Sequence, residues 1–146
     1  MFVGTFKHSI DTKGRVNVPK RFLDHFRDPN QVRTFFVTQG FDGCLSLYTQ
    51  ESFEDVVRRV RENSVGDAQV RAFQRRLYGK TRELEIDAAG RVLLPADLRE
   101  LAGLSDEALF IGVDDRIELW SPERFSKQDG DHAARFEENA KGIFRA

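Results

Sequence analysis

A nine-residue segment near the start of the chain recurs near its middle, and this duplication limits the folds available. Residues 11–19 return as residues 87–95, 76 positions later, with Asp, Gly, Arg, Val and Pro identical at matching positions. Residues 45–53 return in the same way as residues 117–125, at a spacing of 72. A repeated unit usually cannot bury its apolar face alone and packs against its copy. The sequence therefore predicts two similar units that share one core, with function on the repeated motif.

Charge is distributed unevenly over the two copies. Copy one (residues 1–80) carries 14 Lys and Arg against 9 Asp and Glu, whereas copy two (residues 81–146) carries 9 against 15, for a net charge of −1. Copy one could therefore face a polyanion such as DNA, although charge runs of this size are equally often solvated surface. No apolar run approaches the roughly 20 residues of a membrane-spanning helix, and no signal segment is recognisable. We expect a cytosolic protein.

Hydrophobic periodicity and turn residues predict the same order of elements in both copies. Alternating apolar residues predict a strand, a tight turn and a second strand around residues 11–15 and around residues 87–91. Proline predicts a short helix after each, over residues 20–26 and from residue 95 to Leu101. The other predicted elements are strands over residues 34–39, 44–48, 108–113 and 116–120, helices beginning after Thr49, Asp67 and Ser121, the second of them ending at Gly79, and a polar tail from Gln128 with a short, weakly packed helix.

The repeated turn has a physical interpretation. Gly14 permits a positive φ, Asp11 can accept hydrogen bonds from turn amides, and Arg15 emerges at the turn's edge. Guanidinium groups on a rigid strand edge suit phosphate contacts, and arginine can also read guanine in the major groove. The alternative is that Asp11 and Arg15 only lock the turn.

Neighbouring charge decides between these alternatives differently for the two copies. In copy one, Lys13 lies beside Arg15, and Lys20 and Arg21 follow, so we predict a DNA-contacting basic cluster at one corner. In copy two, Ala88 and Ala89 add no charge, which favours the locking role. The predicted DNA-binding residues are Thr12, Lys13, Gly14, Arg15, Lys20 and Arg21, and the second motif, structural or a secondary DNA contact, is Asp87, Gly90 and Arg91.

The sequence argues against an enzyme. Its three histidines, His8, His25 and His132, are scattered, and its single cysteine, Cys44, has no nearby histidine in the sequence. No Gly-rich phosphate loop or metal-ligand spacing occurs, and one cysteine excludes an intrachain disulfide. We therefore expect no catalytic residues, no metal and no cofactor.

Six short motifs follow one another along the chain at residues 11–19, 42–48, 76–79, 85–95, 102–104 and 115–120. Each motif is short, and their specificity lies in the combination. Together, in this order and spacing, they resemble the MraZ family of bacterial transcriptional regulators. The resemblance covers the chain from Met1 to about Phe125.

The resemblance implies an α+β fold, mainly β, made of two tandem AbrB-like (SpoVT-AbrB) halves. The halves would span residues 5–50 and 81–124, joined by a helical connector (residues 51–80) and followed by a C-terminal tail (residues 125–146). They would interlock as a swapped-hairpin, or double-split, β-barrel with flanking helices.

The same resemblance implies sequence-specific binding of double-stranded DNA. The family's targets would be tandem repeats in the promoter of the division and cell wall gene cluster, bound by a ring-shaped homo-oligomer, usually to repress it. A nucleoid-associated location would follow. Basic residues of the first turn would contact DNA, which here means Lys13 and Arg15. The competing interpretation is an antitoxin-like protein-interaction module, since similar swapped-hairpin folds also pair with toxin chains.

Overall fold

The computed structural model describes residues 1–28 and 30–144. In these residues the predicted alternation of strands and helices holds, with four strands in each copy. The strands are β1 (Phe2–Ser9), β2 (Arg15–Asn17), β3 (Thr34–Gln39), β4 (Leu45–Tyr48), β5 (Arg82–Glu85), β6 (Arg91–Leu93), β7 (Glu107–Asp114) and β8 (Arg116–Trp120). The helices are α1 (Lys20–Leu23), α2 (Gln50–Arg61), α3 (Ala68–Lys80), α4 (Ala96–Ala102), α5 (Pro122–Ala134) and α6 (Phe136–Asn139).

The strands of the two copies interleave. Six of them form an antiparallel sheet in the order β1-β7-β8-β4-β3-β5, and β2 pairs with β6 as a separate antiparallel ribbon. The first strand of each copy therefore pairs with the third strand of the other, as β1 with β7 and β5 with β3. Neither copy completes the sheet alone, as the duplication predicted.

Hydrogen bonding within the described residues thus gives a sheet and a ribbon, without one closed barrel. The mixed, mainly β architecture of two tandem units is confirmed, whereas closure into a swapped-hairpin barrel stays a prediction. An isolated bridge between Ile10 and Val16 links the end of β1 to the ribbon.

Apolar side chains from the sheet, the ribbon and two short helices form one core. Val16 and Val92 from the ribbon are each 1% exposed and pack in the same cluster as Phe22 of α1 and Leu98 of α4. Burial of such side chains is the main driving force that holds the ribbon on the sheet. One face of the ribbon is therefore fixed inward, which leaves the other face outward.

The predicted helix starts at Thr49, Asp67 and Ser121 are confirmed. Each of these side chains accepts a hydrogen bond from a backbone N–H in the first turn of its helix, which satisfies an amide that has no partner within the helix. Gly103, with φ +66°, is the C-cap of α4, two residues after the predicted end at Leu101.

Two predicted helix ends are wrong. The first helix ends at Leu23 instead of residue 26, and the chain turns there so that Phe26 packs edge-on against Phe35. The C-cap of α3 is Thr81, so Gly79 lies inside the helix and has no capping role. The helix that begins after Ser121 runs to Ala134, so the polar tail from Gln128 starts within α5. The predicted short tail helix is α6.

Among the described residues, no helix combines the length and apolar character that crossing a membrane requires.

Candidate nucleic-acid interface

Turn one (residues 11–15) is held by the carboxylate of Asp11. Its Oδ1 accepts the backbone N–H groups of Lys13 and Arg15, both at 2.9 Å, and its Oδ2 accepts Nε–H of Arg15 at 2.7 Å. Gly14 has φ +90°, a conformation that an L side chain rarely adopts. The predicted turn chemistry is therefore present, including the pairing of Asp11 with Arg15.

These bonds favour the charged form of the aspartate. The N–H of Arg15 is the largest cause that lowers the pKa of Asp11, from its ordinary 3.8 to about 2, and the Arg15 side chain and the Lys13 amide add to it. The carboxylate is thus ionised at neutral pH and keeps the arginine in place.

Turn two (residues 87–91) repeats this arrangement. Oδ1 of Asp87 accepts the N–H groups of Ala89 and Arg91 at 2.9 Å, and its Oδ2 accepts Nε–H of Arg91 at 2.9 Å. The N–H of Arg91 is the main cause of a lowered pKa for Asp87, and Gly90 has φ +83°. Turn locking therefore operates in both copies.

Locking leaves part of each arginine available. The pairing engages Nε of Arg15 and of Arg91, and each side chain is 35% exposed. Within residues 1–28 and 30–144, the hydrogen bonds of both guanidinium groups run through Nε, and the terminal nitrogens have no partner. A locking role and a ligand-contacting role are thus compatible in the same side chain.

The ribbon carries both arginines on one face. Its register pairs Arg15 with Leu93, Val16 with Val92 and Asn17 with Arg91. Since side chains alternate along a strand and the valines face the core, the other four side chains face outward. Arg15 and Arg91 are diagonal neighbours across the ribbon, a relation that separates side chains by about 7–8 Å.

Hydrogen bonds between the copies fix both ends of the ribbon. The N–H of Leu94 donates to the carbonyl of Gly14 at 2.9 Å, and the N–H of Val18 donates to that of Gly90 at 2.9 Å. Each turn is thus joined to the end of the strand from the other copy. Because turn one and turn two lie at opposite ends, the ribbon displays them with approximate twofold symmetry.

A helix from the opposite copy covers each turn. A Cβ placed on Gly14 would lie 2.9 Å from Nε of Arg99 in α4, and one placed on Gly90 would lie 3.0 Å from Cδ1 of Leu23 in α1. Arg99 and Leu23 are 76 positions apart, so they are equivalent residues of the repeat. Turn one therefore has an additional cation above it, and turn two has an apolar side chain.

This packing divides the predicted basic cluster. Thr12 and Lys13 are exposed at turn one with Arg15, as expected. Lys20 and Arg21 belong to α1, which covers turn two, and Arg21 lines a depression with Asp24, His25 and Arg27. The structure therefore places Lys20 and Arg21 past the far end of β2 from turn one, because β2 carries the chain from one end of the ribbon to the other. The DNA-binding roles of all four cations stay predictions.

Other arginines that the sequence did not single out adjoin the ribbon. Nη2 of Arg33 donates to the carbonyl of Asp87 at 2.6 Å, and Nε of Arg99 donates to that of Leu94 at 3.1 Å. Arg15, Arg33, Arg82 and Arg91 line an open cleft of about 720 Å³, together with the carboxylates of Glu83, Glu85 and Asp87. The repeat alignment makes Arg99 the counterpart of Leu23 but does not indicate which turn either residue covers. The contact of Arg33 joins residues 54 positions apart, so it has no local sequence signal either.

Comparisons with known proteins agree on one family. The family model described as "MraZ protein, putative antitoxin-like" matches residues 1–76 and again residues 77–145. The chain is 41% identical over 128 residues to Transcriptional regulator MraZ of Thermomicrobium roseum, which covers 88% of the chain and 87% of the relative. It is 39% identical over 143 residues to that of Desulforamulus reducens (98% and 97% covered) and 38% identical over 143 residues to that of Heliobacterium modesticaldum (98% and 96%).

The relatives are named as transcriptional regulators and not as enzymes, in agreement with the expectation from the sequence. The double match of the family model fits the internal duplication. The chain therefore belongs to the MraZ family of transcriptional regulators.

Proposed function

We propose that this protein is a transcriptional regulator that binds double-stranded DNA through the outward face of the ribbon formed by β2 and β6. One observation carries the proposal: Arg15, Asn17 and Arg91 project from the same face of a two-stranded ribbon whose ends are hydrogen-bonded to the turns. A major groove about 12 Å wide admits a ribbon of this kind. The rigid mounting limits the entropy lost on binding.

The outward side chains have the chemistry for reading bases. Arginine pairs bidentately with guanine and asparagine with adenine in the major groove. Lys13 and Thr12 at the tip of turn one, with the backbone of Gly14, would contact phosphates beside the base-reading Arg15. Lys20 and Arg21 would reach phosphates on the side of turn two, where Arg91 is a secondary contact. The site is thus bipartite, and we assign base reading mainly to turn one, where Lys13 lies within the same turn as Arg15.

Beyond a single chain, we propose that homo-oligomers form rings that bind tandem promoter repeats, and that this assembly supplies much of the affinity. A chain of net charge −1 neutralises few phosphates alone, and linked sites gain roughly 10² to 10⁴ in avidity when their spacing fits. The target would be the promoter of the division and cell wall gene cluster, with repression as the outcome and the nucleoid as the location. The two halves, residues 5–50 and 81–124, would complete a swapped-hairpin barrel.

A binding titration of promoter-repeat DNA against a scrambled duplex at fixed salt tests the DNA contact. We expect Arg15→Ala to weaken binding of the repeats while the melting temperature stays nearly unchanged. Arg116→Ala is a matched control, because Arg116 is 34% exposed but lies on β8, paired with Glu118. Equal affinity of both variants for the repeats would contradict the proposal.

DNA spacing tests the multivalent part. Inserting about 5 base pairs between intact repeats rotates one repeat to the opposite face of the duplex, since one turn takes about 10.5 base pairs. A rigid ring should bind this DNA more weakly. Unchanged affinity would indicate independent binding by single chains.

An antitoxin-like interaction module is the second candidate, and one observation favours it: the antitoxin-like description of the matching family model. Such a module would bind a partner protein with no need for the repeats. Specific retention of promoter-repeat DNA by the purified chain alone would count against it as the main function.

A further inference from the structure

The helical connector contains an apolar groove between α2 and α3. Val60, Val70 and Phe73 form its floor, and Arg59 and Gln69 lie on its rim, around a volume of about 380 Å³. Phe73 is 41% exposed and stacks on Phe41, which is 75% exposed. An exposed aromatic pair beside an apolar groove is typical of a surface that another protein segment covers.

The C-terminal segment of the same chain carries exposed apolar side chains that could fill a groove. Phe136, Ile143 and Phe144 are 78%, 73% and 85% exposed, three large apolar side chains within nine residues. α6 packs on α5, and α5 packs on β7, so this segment extends from the copy-two side of the molecule. Each chain therefore offers both an exposed apolar groove, between α2 and α3, and an exposed apolar segment, residues 136–144.

Charge around these two surfaces is complementary. The connector, residues 51–80, carries 7 Lys and Arg against 5 Asp and Glu, and three of the acidic residues, Glu51, Glu54 and Asp55, lie in the first half of α2. Residues 136–144 carry Glu137 and Glu138, directly after Phe136 on α6, against Lys141. The acidic group on the groove rim, Asp67, is engaged as the cap of α3, which leaves Arg59 as the rim cation. The connector's cations are six arginines and one lysine, and arginine with aromatic residues is the composition enriched at protein interfaces.

We propose that residues 136–144 of one chain dock in the α2–α3 groove of a second copy. Phe136 enters the groove, and Glu137 and Glu138 face the arginines of the connector. Because groove and tail are different patches of one chain, the contact is head-to-tail and joins successive chains. This inference rests on the proposed homo-oligomer and names the surface through which it forms.

Cysteine cross-linking tests which surfaces meet. The native Cys44 is 1% exposed, and burial raises the pKa of its thiol to about 12, so it can remain. A chain carrying Gln69→Cys on the groove rim and Asn139→Cys on α6 should form inter-chain disulfides under mild oxidation. Chains with either single substitution are the controls and should stay largely uncross-linked. A disulfide within one chain, or none at all, would overturn the proposal.

Assembly measurements by native mass spectrometry and sedimentation give the second test. Phe136→Ser/Phe144→Ser and, separately, Val70→Arg should raise the dissociation constant of the assembly by about tenfold or more, as expected for central apolar contacts. Val3→Ser is the control, because Val3 is 49% exposed on β1 and lies outside the groove, the tail and the ribbon.

Two results distinguish failure of this inference from failure of the proposed function. Full assembly of the tail and groove variants would overturn the docking surface while the homo-oligomer stands. A wild-type chain that stays monomeric at micromolar concentration would overturn both the homo-oligomer and its docking surface. Binding of a single DNA repeat, measured on the same variants, should be unchanged in either case, since none of the substituted residues lies on the ribbon.

Discussion

Turn one and turn two hold their aspartate and arginine at nearly the same distances, 2.7 Å and 2.9 Å between Oδ2 and Nε, yet their surroundings differ. Lys13 and Arg99 add cations around turn one, whereas Ala89 and Leu23 occupy the equivalent positions around turn two. Arg33 partly compensates by binding the carbonyl of Asp87. The hydrogen-bonded turn geometry is therefore the same in both copies, while the charge around each turn is set by side chains that take no part in the Asp–Arg hydrogen bonds.

The largest expected effect is on DNA affinity, and it should differ between Arg15 and Arg91. Arg15→Ala should lower affinity for specific DNA by about 1 to 3 kcal/mol. Arg91→Ala should cause a smaller loss, because Lys13 flanks Arg15 within turn one whereas Ala88 and Ala89 flank Arg91 within turn two. The measurement is fluorescence anisotropy with one promoter repeat. A larger loss for Arg91→Ala would reverse the assignment of base reading mainly to turn one.

The two glycines test whether the turns are equivalent in stability. Gly14→Ala and Gly90→Ala each place a Cβ on a positive-φ residue, which should cost about 1 to 2 kcal/mol of unfolding free energy. Urea unfolding of both variants measures the difference. Arg99 is a flexible side chain that can move away, whereas Leu23 is half-buried, so we expect Gly90→Ala to be the more destabilising. Equal losses of unfolding free energy, or a larger loss for Gly14→Ala, would contradict the proposed influence of Leu23 and Arg99.

Exchanging one side chain should make the turns more alike. Ala89→Lys introduces into turn two the cation that Lys13 supplies in turn one, while Lys13→Ala removes it. We expect Lys13→Ala to reduce the salt dependence of DNA binding by about one unit of slope, as for loss of one phosphate contact. Ala89→Lys should increase it by a similar or smaller amount. No change in either slope would place Lys13 away from the DNA backbone.

Acid should affect both turns in the same direction. Because the pKa of Asp11 is lowered in the folded state to about 2, its stabilising contribution is complete above about pH 4 and is lost as the pH falls towards 2. The pKa of Asp87 is also lowered. NMR titration of the two carboxyl groups measures this directly. Asp11→Asn and Asp87→Asn should each make unfolding less pH-dependent in that window, and an ordinary pKa at either residue would contradict the observed hydrogen bonds.

Local sequence signals were sufficient for the elements and for the turns. Capping side chains such as Thr49 and Asp67 act on neighbouring amides, and the Asp11 and Gly14 chemistry lies within five residues, so both could be predicted. The duplication predicted that the two copies share a core, but it could not predict which strands pair. Pairing partners such as Phe2 and Asp114 are far apart in sequence.

The position of Lys20 and Arg21 relative to turn one could not be predicted for a related reason. Proximity along the chain suggested that Lys20 lies near Lys13, but a three-residue strand separates the two ends of the ribbon. Arg33 was missed because its contact with Asp87 depends on tertiary packing alone. The DNA-binding roles of these residues stay predictions, since a pattern of cations indicates a surface and not the ligand that occupies it.

The interleaved sheet also has a consequence for how the molecule can change. Two identical half-chains could build the same sheet as a dimer, but a single gene would then encode both turns, and every substitution would appear twice. Fusion of the halves into one chain removes this constraint, so that one turn can gain or lose a charge while its counterpart is preserved. The two ends of a nearly symmetric fold can in this way become chemically different, so that an asymmetric partner can bind in one orientation.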